Sequence, residues 1–244
     1  MTKLSININK FALIRNARGN NLPNLSDITN KCIDYGVNGI TVHPRPDERH
    51  IKFSDLHLIS KIVKSYKNIE FNIEGYPSKK FIKEIDKIET HQITLVPDPP
   101  NALTSSFGWD CKKYKKLLTE VVKNFQKQNI RVSLFINPSI KNLEYLCDIL
   151  PDRVELYTFD YAKNFSTNPS IAIKKYIEVV KFTRKIAPTI GINAGHDLNL
   201  LNLKYLLKKI KDIKEVSIGH AFVCDSFEFG LKDTIEKYLK IVNS

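Results

Sequence analysis

The chain has 244 residues, 42% of them hydrophobic, with 9 Gly and 11 Pro, which suits one large domain with a substantial core and excludes a disordered or collagen-like chain. No apolar stretch approaches the ~18 residues that a membrane span requires, and Met1-Thr2-Lys3-Leu4-Ser5-Ile6 lacks the apolar segment and cleavage site of a signal peptide. The net charge of +12 permits nucleic acid, anionic lipid or phosphorylated substrates as partners. However, Lys112, Lys113, Lys115, Lys116 and Lys123, like Lys208, Lys209 and Lys211, fall on the polar sides of helical patterns, without interleaved aromatics or zinc-finger spacing. They read as solvated faces. Cys32, Cys111, Cys147 and Cys224 are widely separated, with no C-x-x-C pair, as expected for thiols in a reducing cytosol. The expectation is a cytoplasmic protein with neither nucleic acid nor membrane as partner.

Along the chain, strand-like and helical segments alternate. A strand at Leu4–Ile8 precedes a helix capped by Ser26 or Asp27, carrying Ile28, Cys32 and Ile33 and followed by Gly36. A strand at Gly39–Val42 precedes a helix opened by Ser54-Asp55, with Leu58, Ile59, Ile62 and Val63 on one face. Ile69–Ile73 is followed by a helix over Ser78–Ile88. After Gln92–Val96, Asp110 precedes the clearest amphipathic stripe: Tyr114, Leu117, Leu118, Val121, Val122 and Phe125. Strands at Ile130–Ile136, Arg153–Tyr157, Thr189–Asn193 and Glu215–Ile218 are followed by helices at Lys141–Leu150, Pro169–Ile186, Leu201–Ile210 and Leu231–Val242. The strand runs are short and rich in Ile and Val, as strands buried on both faces are.

Eight such alternations with no linker predict one (β/α)8 TIM barrel domain over residues 1–244, an α/β fold. Neither G-x-G-x-x-G nor G-x-x-x-x-G-K-[ST] occurs, which argues against an open doubly wound sheet. A barrel builds its site at the C-terminal ends of its strands. There the chain places His43, Glu74, Glu155, His196 and His220, one after each of several strands. Repetition of groups able to move protons predicts one catalytic ring.

The first two strands lead into Asn7-Ile8-Asn9-Lys10 with Arg15-Asn16-Ala17-Arg18-Gly19, and into His43-Pro44-Arg45 with Arg49-His50. Arg suits bidentate contact with phosphate oxygens. Gly219-His220-Ala221 precedes a possible short helix whose free N–H groups suit a phosphate. Asp98 ends the fourth strand and is by that position a catalytic candidate, but the flanking Pro97, Pro99 and Pro100 read as a rigid loop. Phe107 and Trp109 belong either to a covering loop or to packing. Arg15 reads as a brace for the first loop, and His57 and His91 as surface or packing residues.

Arg15–Gly19, Gly39–His43 with Arg45 and Arg49–Ile51, Glu74, Leu95–Pro97, Val132–Phe135, Glu155, Asn193–His196 and Ile218–Ala221 together resemble the pyridoxine 5′-phosphate synthase family, in the family's order and from end to end. The resemblance implies a cytosolic, homo-octameric barrel enzyme with no redox cofactor and no catalytic metal. It would condense 1-deoxy-D-xylulose 5-phosphate with 3-amino-2-oxopropyl phosphate to pyridoxine 5′-phosphate, inorganic phosphate and water.

It also implies roles. His43 and Glu74 accept protons, His196 donates one, and Glu155 stabilises cationic or enolic intermediates. Arg45, His50 and Thr104 hold the sugar phosphate, while Asn7, Arg18, Gly219 and His220 hold the aminoketone phosphate. Where the family's common pattern has Asp-His in the first loop, this chain has Asn9-Lys10; where Gly is common after the last-but-one strand it has Asp197, and Tyr157 stands at a common His position. Asn9 can still hydrogen-bond and Lys10 can still supply a positive charge, so altered substrate contacts at Asn9, Lys10 and Asp197 are expected. Two other readings compete. One is a metal-dependent barrel ligated by His43, Glu74, Glu155, His196 and His220; the other is a basic nucleic-acid binder, in which strand-end acid/base groups have no purpose.

Overall fold

The computed structural model describes residues 1–98, 105–141 and 143–244. Within them the Ile- and Val-rich runs form eight parallel strands: β1 (Lys3–Asn7), β2 (Gly39–Val42), β3 (Glu70–Gly75), β4 (Gln92–Leu95), β5 (Arg131–Ile136), β6 (Arg153–Tyr157), β7 (Gly191–Gly195) and β8 (Ile213–Ile218). Each pairs with the next, and β8 returns to β1, closing the barrel. Around it run α1 (Asn9–Arg18), α2 (Leu25–Asp34), α3 (Phe53–Lys64), α4 (Lys79–Ile85), α5 (Lys115–Gln126), α6 (Leu146–Ile149), α7 (Phe159–Phe165), α8 (Pro169–Ala172), α9 (Lys174–Ile186), α10 (Leu203–Lys209), α11 (His220–Phe229) and α12 (Leu231–Val242).

Alternation along the strands sets two layers. Ile6, Ile40, Ile73, Ile93, Leu134, Leu156, Ile192 and Val216 are fully buried in the main apolar core. The intervening positions are polar, contrary to the expectation of strands apolar on both faces. Ser5 Oγ meets Thr41 Oγ1 at 2.7 Å, Asn72 Nδ2 donates to Thr41 Oγ1 at 3.3 Å, and Thr94 Oγ1 donates to Asn72 Oδ1 at 3.0 Å. Gln92 on β4 donates to Glu215 on β8 at 3.4 Å, a bond between opposite walls that places both side chains inside the barrel. These buried polar groups persist because they satisfy one another, whereas among the described residues Ser133 Oγ and Asn193 Nδ2 make no hydrogen bond. At the floor, Arg153 meets Glu215 at 3.0 Å, and Glu70 takes both Lys3 and Arg131.

Several elements differ from the sequence reading. The segment after β1, read as a loop, is helix α1; its inward stripe is Phe11, Ala12 and Arg15, so a cation occupies an expected apolar position. Arg15 braces, as read: Nη1 and Nη2 donate to the two Asp55 oxygens at 2.8 and 2.9 Å, and Nη2 also reaches the His50 carbonyl. Asp55 in turn accepts from the Lys52 N–H at 2.8 Å, one of the orphan donors at the start of α3. The Lys141–Leu150 helix is reduced to a 3-10 turn at Leu143–Tyr145 and the single turn of α6, which ends on Leu150 in left-handed backbone. Pro169–Ile186 splits into α8 and α9 at Ile173. β7 ends two residues later than read, on Gly195, so that His196 follows it directly.

Candidate active site

One half of the site is built by β2, β3 and β4. Asn7 at the end of β1 accepts from the Asn9 N–H at 3.0 Å, and Asn9 Oδ1 accepts from the His43 N–H at 2.9 Å. This relay pins the residue after β2 to the start of α1, and commits the Asn9 side-chain oxygen to backbone. His43 Nδ1 lies 3.6 Å from Glu74 Oε2, an ion-pair rather than hydrogen-bond separation. Burial, reinforced by the Asp98 charge, pushes the Glu74 carboxyl up to about 8. Burial, with the positive charges of Arg45 and His50, holds His43 well below the ordinary imidazole range. Both directions place the shared proton on Glu74 and leave His43 a neutral base.

Arg45 is buried, with Nη2 donating to Asp98 Oδ2 at 2.8 Å; Ser105 Oγ donates to the same oxygen at 2.6 Å. Asp98, read as part of a rigid proline loop, is therefore the anchor of a candidate phosphate-binding arginine. Its position just after a strand, like that of His43 after β2, was the available signal. His50 Nδ1 accepts from the Ile51 N–H at 2.9 Å, which commits a neutral ring to present its proton on Nε2. Burial first, then the charges of Arg45, Arg49 and Lys10, push His50 down to about 4. Lys10 and Arg45 thus act electrostatically on one spot, as an anion site requires.

β6, β7 and β8 supply the other half. Glu155 is buried on β6, and burial together with the neighbouring carboxylates Glu74 and Glu215 raises its carboxyl well above the ordinary value. It leans against Gly195, where an added Cβ would stand 2.2 Å from Glu155 Oε1; only glycine leaves that space. The His196 ring packs edge-on against Tyr157 at 4.9 Å, and its Nδ1 lies 2.8 Å from Asp197 Oδ2. Gly219, just past β8, approaches Asn7 so closely that a Cβ there would meet the Asn7 Cβ at 3.3 Å. His220 opens α11 and is exposed, as is Arg18 at the end of α1.

The fold thus carries the sequence-predicted residues His43, Glu74, Glu155, His196, Asn7, Asn9, Lys10, Arg45, His50, Asp197, Gly219 and His220 to the ends of β1, β2, β3, β6, β7 and β8. Thr104 lies outside the described residues. His57 is exposed, and His91 accepts from the Phe71 N–H at 3.1 Å, so both are surface or packing residues. Trp109 is buried, with its indole N–H donating to the Leu95 carbonyl at 2.8 Å, which resolves it as packing, whereas Phe107 is exposed. Among the described residues, no three His, Cys, Asp or Glu side chains are grouped so as to hold a metal ion. No helix among them is long and apolar enough to cross a membrane.

A closed (β/α)8 barrel with acid/base groups and cations gathered at the C-terminal ends of its strands defines a barrel enzyme class that works on anionic substrates. A family model described as pyridoxal phosphate biosynthesis protein PdxJ matches residues 4–244. A pyridoxine 5′-phosphate synthase of Cytophaga hutchinsonii is 50% identical over 240 residues, 98% of each chain. One of Phocaeicola vulgatus is 48% identical over 244 residues, all of both chains. The chain belongs to the PdxJ family. Among solved structures, tryptophan synthase from M. tuberculosis superposes with a TM-score of 0.64 at 9% identity, over 97% of this chain and 91% of that one. Phosphoribosyl anthranilate isomerase superposes at 0.60 and 13% identity, over 100% and 99%. These two share the fold alone.

Proposed function

We propose that this chain is a pyridoxine 5′-phosphate synthase of vitamin B6 biosynthesis. It condenses 1-deoxy-D-xylulose 5-phosphate with 3-amino-2-oxopropyl phosphate and releases pyridoxine 5′-phosphate, inorganic phosphate and water. The observation that carries this reading, beyond family membership, is the division of proton-moving groups between two halves of one barrel end. The His43–Glu74 pair stands on one side, and Glu155 with His196 on the other.

The chemistry requires that division. Schiff-base formation, enolisation, loss of phosphate, dehydration and ring closure move protons at different atoms, and one acid/base pair reaches only its own neighbourhood. His43, kept neutral, takes a proton from substrate carbon, and Glu74 exchanges protons beside it. His196 donates to a leaving oxygen. Glu155 stabilises the cationic or enolic intermediates between them, acting as an anion when a cation forms alongside. Arg45, His50 and Lys10, with Thr104, bind the sugar phosphate that is eliminated. Asn7, Arg18, Gly219 and His220 bind the phosphate retained in the product, with the backbone of Asp197 at the edge of that subsite. No step calls on a redox cofactor or a metal. The working enzyme is a cytoplasmic homo-octamer of single barrel domains, without nucleic-acid or membrane partners. α1 and α11 pack together and carry the exposed Leu13, Ile14, Phe227 and Phe229, which contacts between copies would cover.

The direct test is incubation of the purified chain with both substrates in chelator-containing buffer, with product followed by mass and fluorescence. Pyridoxine 5′-phosphate is expected. Folded protein giving no product would overturn the assignment and turn attention to Lys10 and Asp197 as marks of a different phosphorylated substrate.

A further inference from the structure

The turn after β7 is strained and built around a side-chain contact that the reaction outlined above does not use. His196 and Asp197 both adopt left-handed backbone, with φ of 85° and 57°. Side chains other than glycine, Asn and Asp rarely do so, and two in succession are held only where the surroundings over-determine them. Here they do. Buried Thr158 donates its backbone N–H to the Gly195 carbonyl at 3.0 Å and its hydroxyl to the His196 carbonyl at 2.5 Å, and buried Asn202 donates to the Asp197 carbonyl at 3.1 Å. The result aims the Asp197 carboxylate at His196 Nδ1, 2.8 Å away, while the Tyr157 ring edge and Phe135 fix the plane of the imidazole.

We propose that Asp197 is a positioning residue for the reaction: it forms a carboxylate–imidazole dyad with His196, holds a proton on Nδ1, and so assigns proton exchange with the substrate to Nε2. In the step assigned to His196, the Nε2 proton passes to the leaving oxygen, the N–H bond electrons stay on the ring, and the Nδ1–H···Asp197 bond persists throughout. The hydrogen bond from His196 keeps the Asp197 carboxyl below the usual range, so the partner is an anion at neutral pH. A carboxylate at that distance fixes the tautomer of the ring, as the Asp of a catalytic triad does for its His. The other titratable groups acting on this dyad are Tyr157 from β6, His43 just after β2 and His220 at the start of α11, with Glu155 of β6 packed against the adjoining Gly195, while Asp160 and Asp98 act on Tyr157. Asp197 Oδ2 is in hydrogen-bond contact with the imidazole Nδ1.

The inference rests on His196 acting as a proton donor, and the strain makes it separable from a structural role. Glycine adopts φ of 57° without steric strain, which offsets its larger loss of conformational freedom on folding, so Asp197→Gly is expected to change the melting temperature little. Its kcat is nevertheless expected to fall about tenfold or more, with KM for either substrate changing less than about threefold. Asp197→Asn should be slower still, because its amide N–H selects the opposite tautomer. Unchanged kcat in both variants would overturn the dyad. A lower KM at constant kcat would also overturn it, since the carboxylate would then be acting on a substrate phosphate. His196→Gln serves as the control: a loss of about 100-fold or more supports the donor role, whereas retained activity sinks that role and the dyad with it.

Discussion

The acid/base groups of this site are set by burial more than by their immediate partners. Glu74 lies beside an imidazole at 3.6 Å, yet burial and the Asp98 charge keep its carboxyl protonated up to about 8. Its folded value stands above its ordinary 4.5, so the folded chain binds this proton more tightly than the unfolded one. The contribution to stability is present in full below the unfolded value and is lost as pH rises toward the folded value. Glu74→Gln removes that dependence. Denaturant titrations are expected to show the variant close to wild type near pH ~4–5 and more stable by a few kcal/mol, in order of magnitude, near pH ~8–9. Identical curves at both pH values would mean that Glu74 is ionised in the folded protein. The expected companion of this gain is lost turnover, the usual exchange between stability and function at a strained or buried site.

At the scale of elements, the strands act by where they stop. β2 stops at Val42 and hands on His43, while β7 stops at Gly195 and hands on His196 in a left-handed turn. Gly195 is the tightest of these joints, since it lets Glu155 on β6 lean across β7. Gly195→Ala is expected to lower kcat about 100-fold, because a shift of about an ångström in a catalytic group is enough for that. The cost in melting temperature should be small, since the displaced atom is the end of a side chain rather than backbone. Steady-state kinetics alongside a thermal melt would separate the two, and unchanged kcat would remove Glu155 from the chemistry. Most strand ends could be read from the sequence to within a residue, because short apolar-rich runs stop at polar ones, although β3 and β7 each run two residues further than read. α1 could not, because its buried face includes Arg15, whose ion pair is with Asp55, forty positions away.

For the whole molecule, the polar barrel interior separates two kinds of core. The apolar one lies between strands and helices, and the hydrogen-bonded one runs inside the barrel from Ser5 and Thr41 to Gln92 and Glu215. The carboxylates inside raise one another's proton affinity, which links chemistry on β3 to that on β6 through space rather than through contact. On the outside, the apolar side chains of α1 and α11 flank the proposed aminoketone-phosphate subsite. Light scattering is expected to give a particle of eight 28.1 kDa chains, and Phe227→Asp, at a residue 74% exposed, to give a smaller one. An unchanged mass in the variant would show that this face lies outside the subunit contacts.

The sequence by itself determined the barrel and the order of its strands, and it named the candidates for the site. Hydrophobic periodicity and strand-end polarity are local properties, legible in short windows such as Gly39–His43 or Arg153–Glu155. Only the tertiary structure decided which of these residues touch. The Arg45–Asp98–Ser105 anchor, the Arg15–Asp55 brace and the polar barrel interior each join segments brought together by closure of the sheet. Even the contact of the neighbours His196 and Asp197 needed Thr158 and Asn202, from β6's far end and the start of α10, to hold the backbone where two side chains seldom go. Proton affinities followed the same division. The titratable residue types are written in the chain, but burial and the charge of distant neighbours set them, and both exist only once the barrel has closed.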